Sequence, residues 1–163
     1  MDRPYNLLFL CTGNSARSIM AEAILRQVGG GRFRGYSAGS HPAGAVHPHT
    51  LELLERHRFP VDGLHSKHWD AFAGPDAPVM DFVLTVCDKA AGEACPVFFG
   101  PALKAHWGLA DPSEQPGTDD EVEANFHHAL ARIERRCRAF FALPFSQLDA
   151  HALKRELDRI ATL

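Results

Sequence analysis

The chain has 163 residues, with 17 basic against 20 acidic side chains for a formal net charge of −3, 45% apolar and 23% charged. At about 150 residues per domain this is one domain, 1–163, large enough to bury roughly 70% of its unfolded surface without disulfide staples. The balance excludes disorder and offers no general electrostatic grip on nucleic acid or a membrane surface. No run approaches ~18 apolar residues, so no membrane-spanning helix is expected. Residues 7–10 are too short for a secretory signal, and a cytoplasmic protein with reduced thiols is expected.

The chain opens on Asn6-Leu-Leu-Phe-Leu10, a short apolar run that reads as a strand buried on both faces. A small polar loop, Cys11-Thr-Gly-Asn-Ser-Ala-Arg-Ser18, follows at once. Ile19, Met20, Ala23, Ile24, Gln27 and Val28 then recur at helical spacing until three glycines stop the helix. Residues 33–37 predict a second strand. A Gly/Pro/His loop over 38–46 leads into a helix with Pro48 in its first turn and Leu51 and Leu54 facing inward. Residues 81–87 predict a third buried strand, and 105–108 a weaker fourth. The acidic, Pro-containing stretch 111–120 is a loop. Val122, Phe126, Ala129, Leu130, Ile133, Cys137, Phe140 and Phe141 then trace an unbroken apolar helical face. Ser146 is expected to cap a terminal helix carrying Leu153, Leu157 and Ile160. Strands alternating with helices predict a single α/β domain, a four-stranded parallel sheet with helices on both faces.

A loop between strand and helix is where such a sheet places its ligand. The backbone amides of Thr12, Gly13, Asn14, Ser15, Ala16 and Arg17 can curl around a tetrahedral oxyanion while the helix aims its positive end at it. Asn14 tolerates positive φ, Arg17 offers a planar fork for two oxygens, and Ser18 can donate to the Cys11 sulfur. That setting favours the Cys11 thiolate and makes it a nucleophile. A Cys-x5-Arg pattern also occurs in ordinary turns; its position between strand and helix separates the two cases.

The segment Phe9-Leu-Cys-Thr-Gly-Asn-Ser-Ala-Arg-Ser18 resembles the phosphate-binding loop of low-molecular-weight protein tyrosine phosphatases and of thioredoxin-coupled arsenate reductases. Tyr36-Ser-Ala-Gly39, Val83-Leu-Thr-Val-Cys87, Cys95-Pro96 and His106-Trp-Gly-Leu-Ala-Asp-Pro112 are similar to the reductase branch, in consistent order. The resemblance implies Cys11 as nucleophile, Arg17 and the loop as oxyanion site, Asp111 as general acid, and Cys87 and Cys95 as a resolving pair. Cys11 would attack arsenate and Cys87 would attack Cys11. Cys95 would then carry the disulfide outward to a thioredoxin-like or glutaredoxin-like reductant. The alternative is a phosphatase of phosphate monoesters that ignores the other thiols. A metal or arsenic sensor using Cys87, Cys95 and His106 is a third reading. Relative to the family pattern, one extra residue separates Cys87 from Cys95, and Ser113 stands where the phosphatases carry a tyrosine after Asp-Pro.

Cys137 falls on an apolar stripe and reads as core. The ten histidines are scattered, with no structural zinc spacing, although His47 and His49 share a loop. No organic cofactor is expected. The resemblance also suggests potassium near Asn14, Glu22 and Ser37.

Overall fold

The structure is a computed structural model that describes residues 3–89, 92–93 and 100–163. Four strands, β1 (Tyr5–Cys11), β2 (Phe33–Gly39), β3 (Phe82–Thr85) and β4 (Leu103–His106), form an all-parallel sheet in the order β2-β1-β3-β4. Because β1 lies inside the sheet, Leu7, Leu8, Phe9 and Leu10 have no exposed surface, which is why its sequence is apolar without alternation. β2 runs two residues beyond the expected end, to Gly39, whereas β3 stops at Thr85, leaving Val86 and Cys87 just outside the sheet. The fourth strand begins at Leu103, earlier than expected, and pairs with β3 from Phe82↔Leu103 to Thr85↔His106.

Among the described residues there are four α-helices: α1 (Arg17–Val28) after β1, α2 (Pro48–Arg56) after β2, and α3 (Asp119–Phe141) and α4 (Ala150–Ile160) in succession after β4. Their buried side chains join Leu7, Phe9, Phe82 and Leu84 in the larger core. The opposite sheet face, Leu8, Leu10, Ala38 and Val83, is closed by Met80 and Ala102 with Tyr36, Trp69 and Phe72. In α2 the inward residues are Thr50, Leu53 and Leu54, with Leu51 only half-buried. α3 begins with a capping box between Thr118 and Glu121, a signal the periodicity alone passes over. The terminal helix is capped by Asp149, whose side chain accepts from the Ala152 amide at 2.8 Å; Ser146 lies instead in a short 3₁₀ turn, Phe145–Gln147.

α4 packs beside β4, where the Trp107 indole donates to the Leu157 carbonyl at 3.0 Å. The buried Arg136 donates to the backbone oxygens of Trp107, Gly108, Ala161 and Leu163. This staples α3 and the chain end to the stem of the loop that carries Asp111. Burial lowers the Arg136 pKa to about 10, with the nearby Arg132 charge acting in the same direction. Among the described residues, no helix is long and apolar enough to cross a membrane.

Candidate active site

The loop of residues 12–16 leaves β1 at its C-terminal end and turns back into α1. Asn14 sits in the left-handed region with φ of 47°, which lets its amide donate to the Cys11 Sγ at 3.1 Å. The Ser18 hydroxyl lies 2.8 Å from the same sulfur. Asn14 Nδ2 donates to Ser18 Oγ at 2.8 Å, so the serine's own hydrogen is left to point at the sulfur. Asn14 Oδ1 is in turn fixed by the Lys67 amide at 2.9 Å. All three side chains are buried, so these bonds orient donors on the sulfur from inside the protein. The loop is braced from outside by the Ala43 amide and Ser66 hydroxyl on the Gly13 carbonyl, and by the His47 amide on the Ser15 carbonyl. β2 can lie this close only because it ends in glycine. A Cβ at Gly39 would stand 2.4 Å from the Thr12 carbonyl oxygen.

The first turn of α1 has no side-chain cap from Ala16 and no acidic residue. Its amides are therefore unpartnered by capping chemistry, and the helix dipole favours negative charge there. Arg17, 2% exposed, brings its guanidinium across the mouth. It donates to the Leu109 carbonyl at 2.9 Å and lies 3.5 Å from Asp111 Oδ2. Asp111 Oδ1 accepts from both the amide and the hydroxyl of Ser113, at 2.9 and 2.7 Å. The serine after Asp111-Pro112 therefore orients the carboxylate.

One residue at the mouth does not stand out in the sequence. Glu93 takes the Arg17 fork with both carboxylate oxygens, at 2.6 and 2.8 Å, and accepts from Thr12 Oγ1 at 2.6 Å and the Asp88 amide at 2.7 Å. Burial works against its charge, but these hydrogen bonds and the guanidinium bring its pKa down to about 2. Burial also opposes the charge of Arg17, and the hydrogen bonds to Glu93 together with the charges of Cys11, Asp111 and Glu93 raise its pKa. A cleft of about 340 Å³ opens beside them; among the described residues it is lined by Asp88, Glu93, Asp111 and Glu114 with small and amide residues.

The four cysteines divide by environment. Cys11 and Cys137 are free thiols, and the fully buried Cys87, just past the end of β3, is in a disulfide. Cys95 lies outside the described residues. Cys137 packs on α3 as expected, and burial pushes its thiol pKa up to about 12. Among the described residues no group of three His, Cys, Asp or Glu side chains could hold a metal. His47 and His49 stack 5.5 Å apart and both pack on Phe126.

Lys67 links Asn14, Glu22 and Ser37: its backbone amide holds Asn14 Oδ1, and its ammonium faces the other two. Lys67 Nζ lies 3.5 Å from Ser37 Oγ and 3.8 Å from Glu22 Oε1, and Glu22 also accepts from Ser37 and pairs with Arg26. Burial lowers the Lys67 pKa while Glu22 supports its charge. With these oxygens committed and an ammonium among them, the set as arranged does not fit potassium.

The protein gathers a buried thiol, the start of α1 and a guanidinium at this end of the sheet. Its family follows from the whole chain. Residues 6–158 match the sequence model of the low molecular weight phosphotyrosine protein phosphatases, and the chain belongs to that family. The arsenate reductase of Bacillus subtilis is 33% identical over 134 residues, covering 82% of this chain and 93% of that relative. The crystal structure of arsenate reductase from Archaeoglobus fulgidus shares the fold with a TM-score of 0.68 at 24% identity, covering 84% of this chain and 99% of that one. A thioredoxin-dependent arsenate reductase of Corynebacterium glutamicum has a TM-score of 0.57 at 24% identity, over 84% of this chain and 62% of that one.

Proposed function

We propose that this chain is an arsenate reductase that works by a thiol relay and draws its electrons from a thioredoxin-like dithiol. The observation that carries this reading is the state of Cys87. A second cysteine sits at the active end of β3, in a disulfide, while the nucleophile Cys11 remains a free thiol. A phosphatase has no use for such a pair, and the arsenate reductase of B. subtilis is a relative over most of both chains.

In the relay, arsenate binds the loop amides and the Arg17 fork, and Cys11 attacks arsenic. Asp111, held beside Arg17 by Ser113, protonates the departing oxygen, which leaves as water. The Cys87 thiolate then attacks the Cys11 sulfur. A sulfur–sulfur bond forms, and the sulfur–arsenic electron pair leaves with arsenic as arsenite, reducing As(V) to As(III). Cys95 attacks Cys87 and releases Cys11 as thiolate. An external dithiol, of thioredoxin or glutaredoxin type, reduces the remaining disulfide. Such a partner belongs to a reducing cytoplasm. No step is assigned to a metal or an organic cofactor.

The same loop accepts phosphate, so slow hydrolysis of phosphate monoesters is an expected side activity. The reading is tested by single turnover. Fully reduced protein, with no external reductant, is expected to convert one arsenate per chain to arsenite and lose two thiols. Arsenite formed in that amount by Cys11→Ser would end the proposal.

A further inference from the structure

We propose that Glu93 is an internal competitor for the oxyanion: with Cys87 in a disulfide, its carboxylate occupies the Arg17 fork and the Thr12 hydroxyl that an incoming anion must use. This rests on the reading of the loop as an oxyanion site and adds an occupant to it. Planar carboxylate and tetrahedral oxyanion both present two oxygens to a guanidinium, and the fork can serve only one of them in this manner. Glu93 takes both Arg17 nitrogens, at 2.6 and 2.8 Å. Its third partner, Thr12, comes from the anion loop itself.

The contact is built rather than incidental. The Glu93 amide donates to the Asp88 carbonyl at 3.1 Å while the Asp88 amide returns a bond to the Glu93 carboxylate at 2.7 Å. Gly92, directly before Glu93, takes φ 81°, a conformation that suits glycine. Asp88 directly follows Cys87, so the same short segment of sequence carries the disulfide cysteine and the competing carboxylate. Within the proposed cycle this has a consequence. The spent, disulfide form is occupied by its own side chain and does not take a second oxyanion until reduction releases the segment.

The apparent affinity of a site falls by the fraction of molecules in which it is open. A contact made in nine of ten molecules therefore weakens binding about tenfold. The test is isothermal titration of the disulfide form with inorganic phosphate, which cannot itself be reduced by the thiols. Glu93→Gln is expected to bind phosphate about tenfold or more tightly than wild type. Glu93→Asp, which keeps the charge but draws it back by one methylene, is expected to tighten binding as well. Reduced wild type is expected to approach the Glu93→Gln value. Equal affinity in wild type and Glu93→Gln would overturn the competitor while leaving the oxyanion site intact. A Glu93→Asp protein as weak as wild type would assign the effect to charge alone and overturn the contact. Reduction without effect on wild type would overturn the link to the disulfide. If phosphate gives no heat with any of these proteins and does not protect Cys11 from iodoacetamide, the oxyanion reading falls with it.

Discussion

Cys11 and Cys137 are equally buried, each 1% exposed, yet their surroundings are opposite in kind. Cys137 is surrounded by the apolar stripe of α3, and burial holds its proton on with a pKa of about 12. Cys11 is met by the Asn14 amide and the Ser18 hydroxyl, with the start of α1 and the Arg17 charge beyond them. Burial alone therefore says nothing about which thiol reacts. What decides is whether the groups that replaced water are donors aimed at the sulfur or hydrocarbon.

The contrast between the two thiols can be broken most forcefully at the sulfur. Cys11→Ser is expected to cut arsenate-dependent turnover by at least about 10³-fold, whereas Cys137→Ser leaves turnover within about twofold. Arg17→Lys, which keeps the charge but not the fork, is expected to lower kcat/KM by about 10²-fold or more in the same assay. Ser18→Ala removes one hydrogen bond to the sulfur, worth about 1.4 kcal/mol or tenfold in rate, read as slower alkylation of Cys11 by iodoacetamide. On the other side, Cys137→Ser places a hydroxyl in an apolar site and is expected to cost about 1–3 kcal/mol, a fall in Tm of several degrees. A Cys137→Ser protein with unchanged Tm but lost activity would reverse the assignment of the two thiols.

The smallest effect concerns pH. Glu93 has its pKa lowered from 4.5 to about 2, so its contribution to stability is complete above 4.5 and disappears as pH falls from there toward 2. Its side chain is 18% exposed, and solvent screens part of the gain. Wild type is expected to melt slightly above Glu93→Gln at neutral pH, with the gap closing in that acid window. A gap that persists unchanged to pH 2 would mean that the carboxylate's charge is not what holds it.

Much of the fold and of the site is legible in the sequence. The continuous apolar run of β1 marks an inner strand, and the loop after it marks the site, because both signals are local. Cys137 is legible for the same reason, through the period of α3. Other features depend on residues far apart in the chain. Lys67 reaches the Asn14, Glu22 and Ser37 oxygens from a loop whose sequence carries no pattern. Glu93 meets Arg17 across 76 positions, and its only sequence mark is being a carboxylate between Cys87 and Cys95. Gly39 belongs to a matched motif, but its purpose is visible only with the Thr12 carbonyl set against it. Ser146 is a false signal for the cap of α4 because Asp149, three residues later, has the same chemistry and the better register.

The central claim is that electrons pass through Cys87. Arsenate-dependent NADPH consumption, coupled through thioredoxin and thioredoxin reductase, tests it on wild type and Cys87→Ser side by side. Steady turnover is expected in wild type and none in Cys87→Ser, whose Cys11 remains open to alkylation. Undiminished turnover in Cys87→Ser would contradict it.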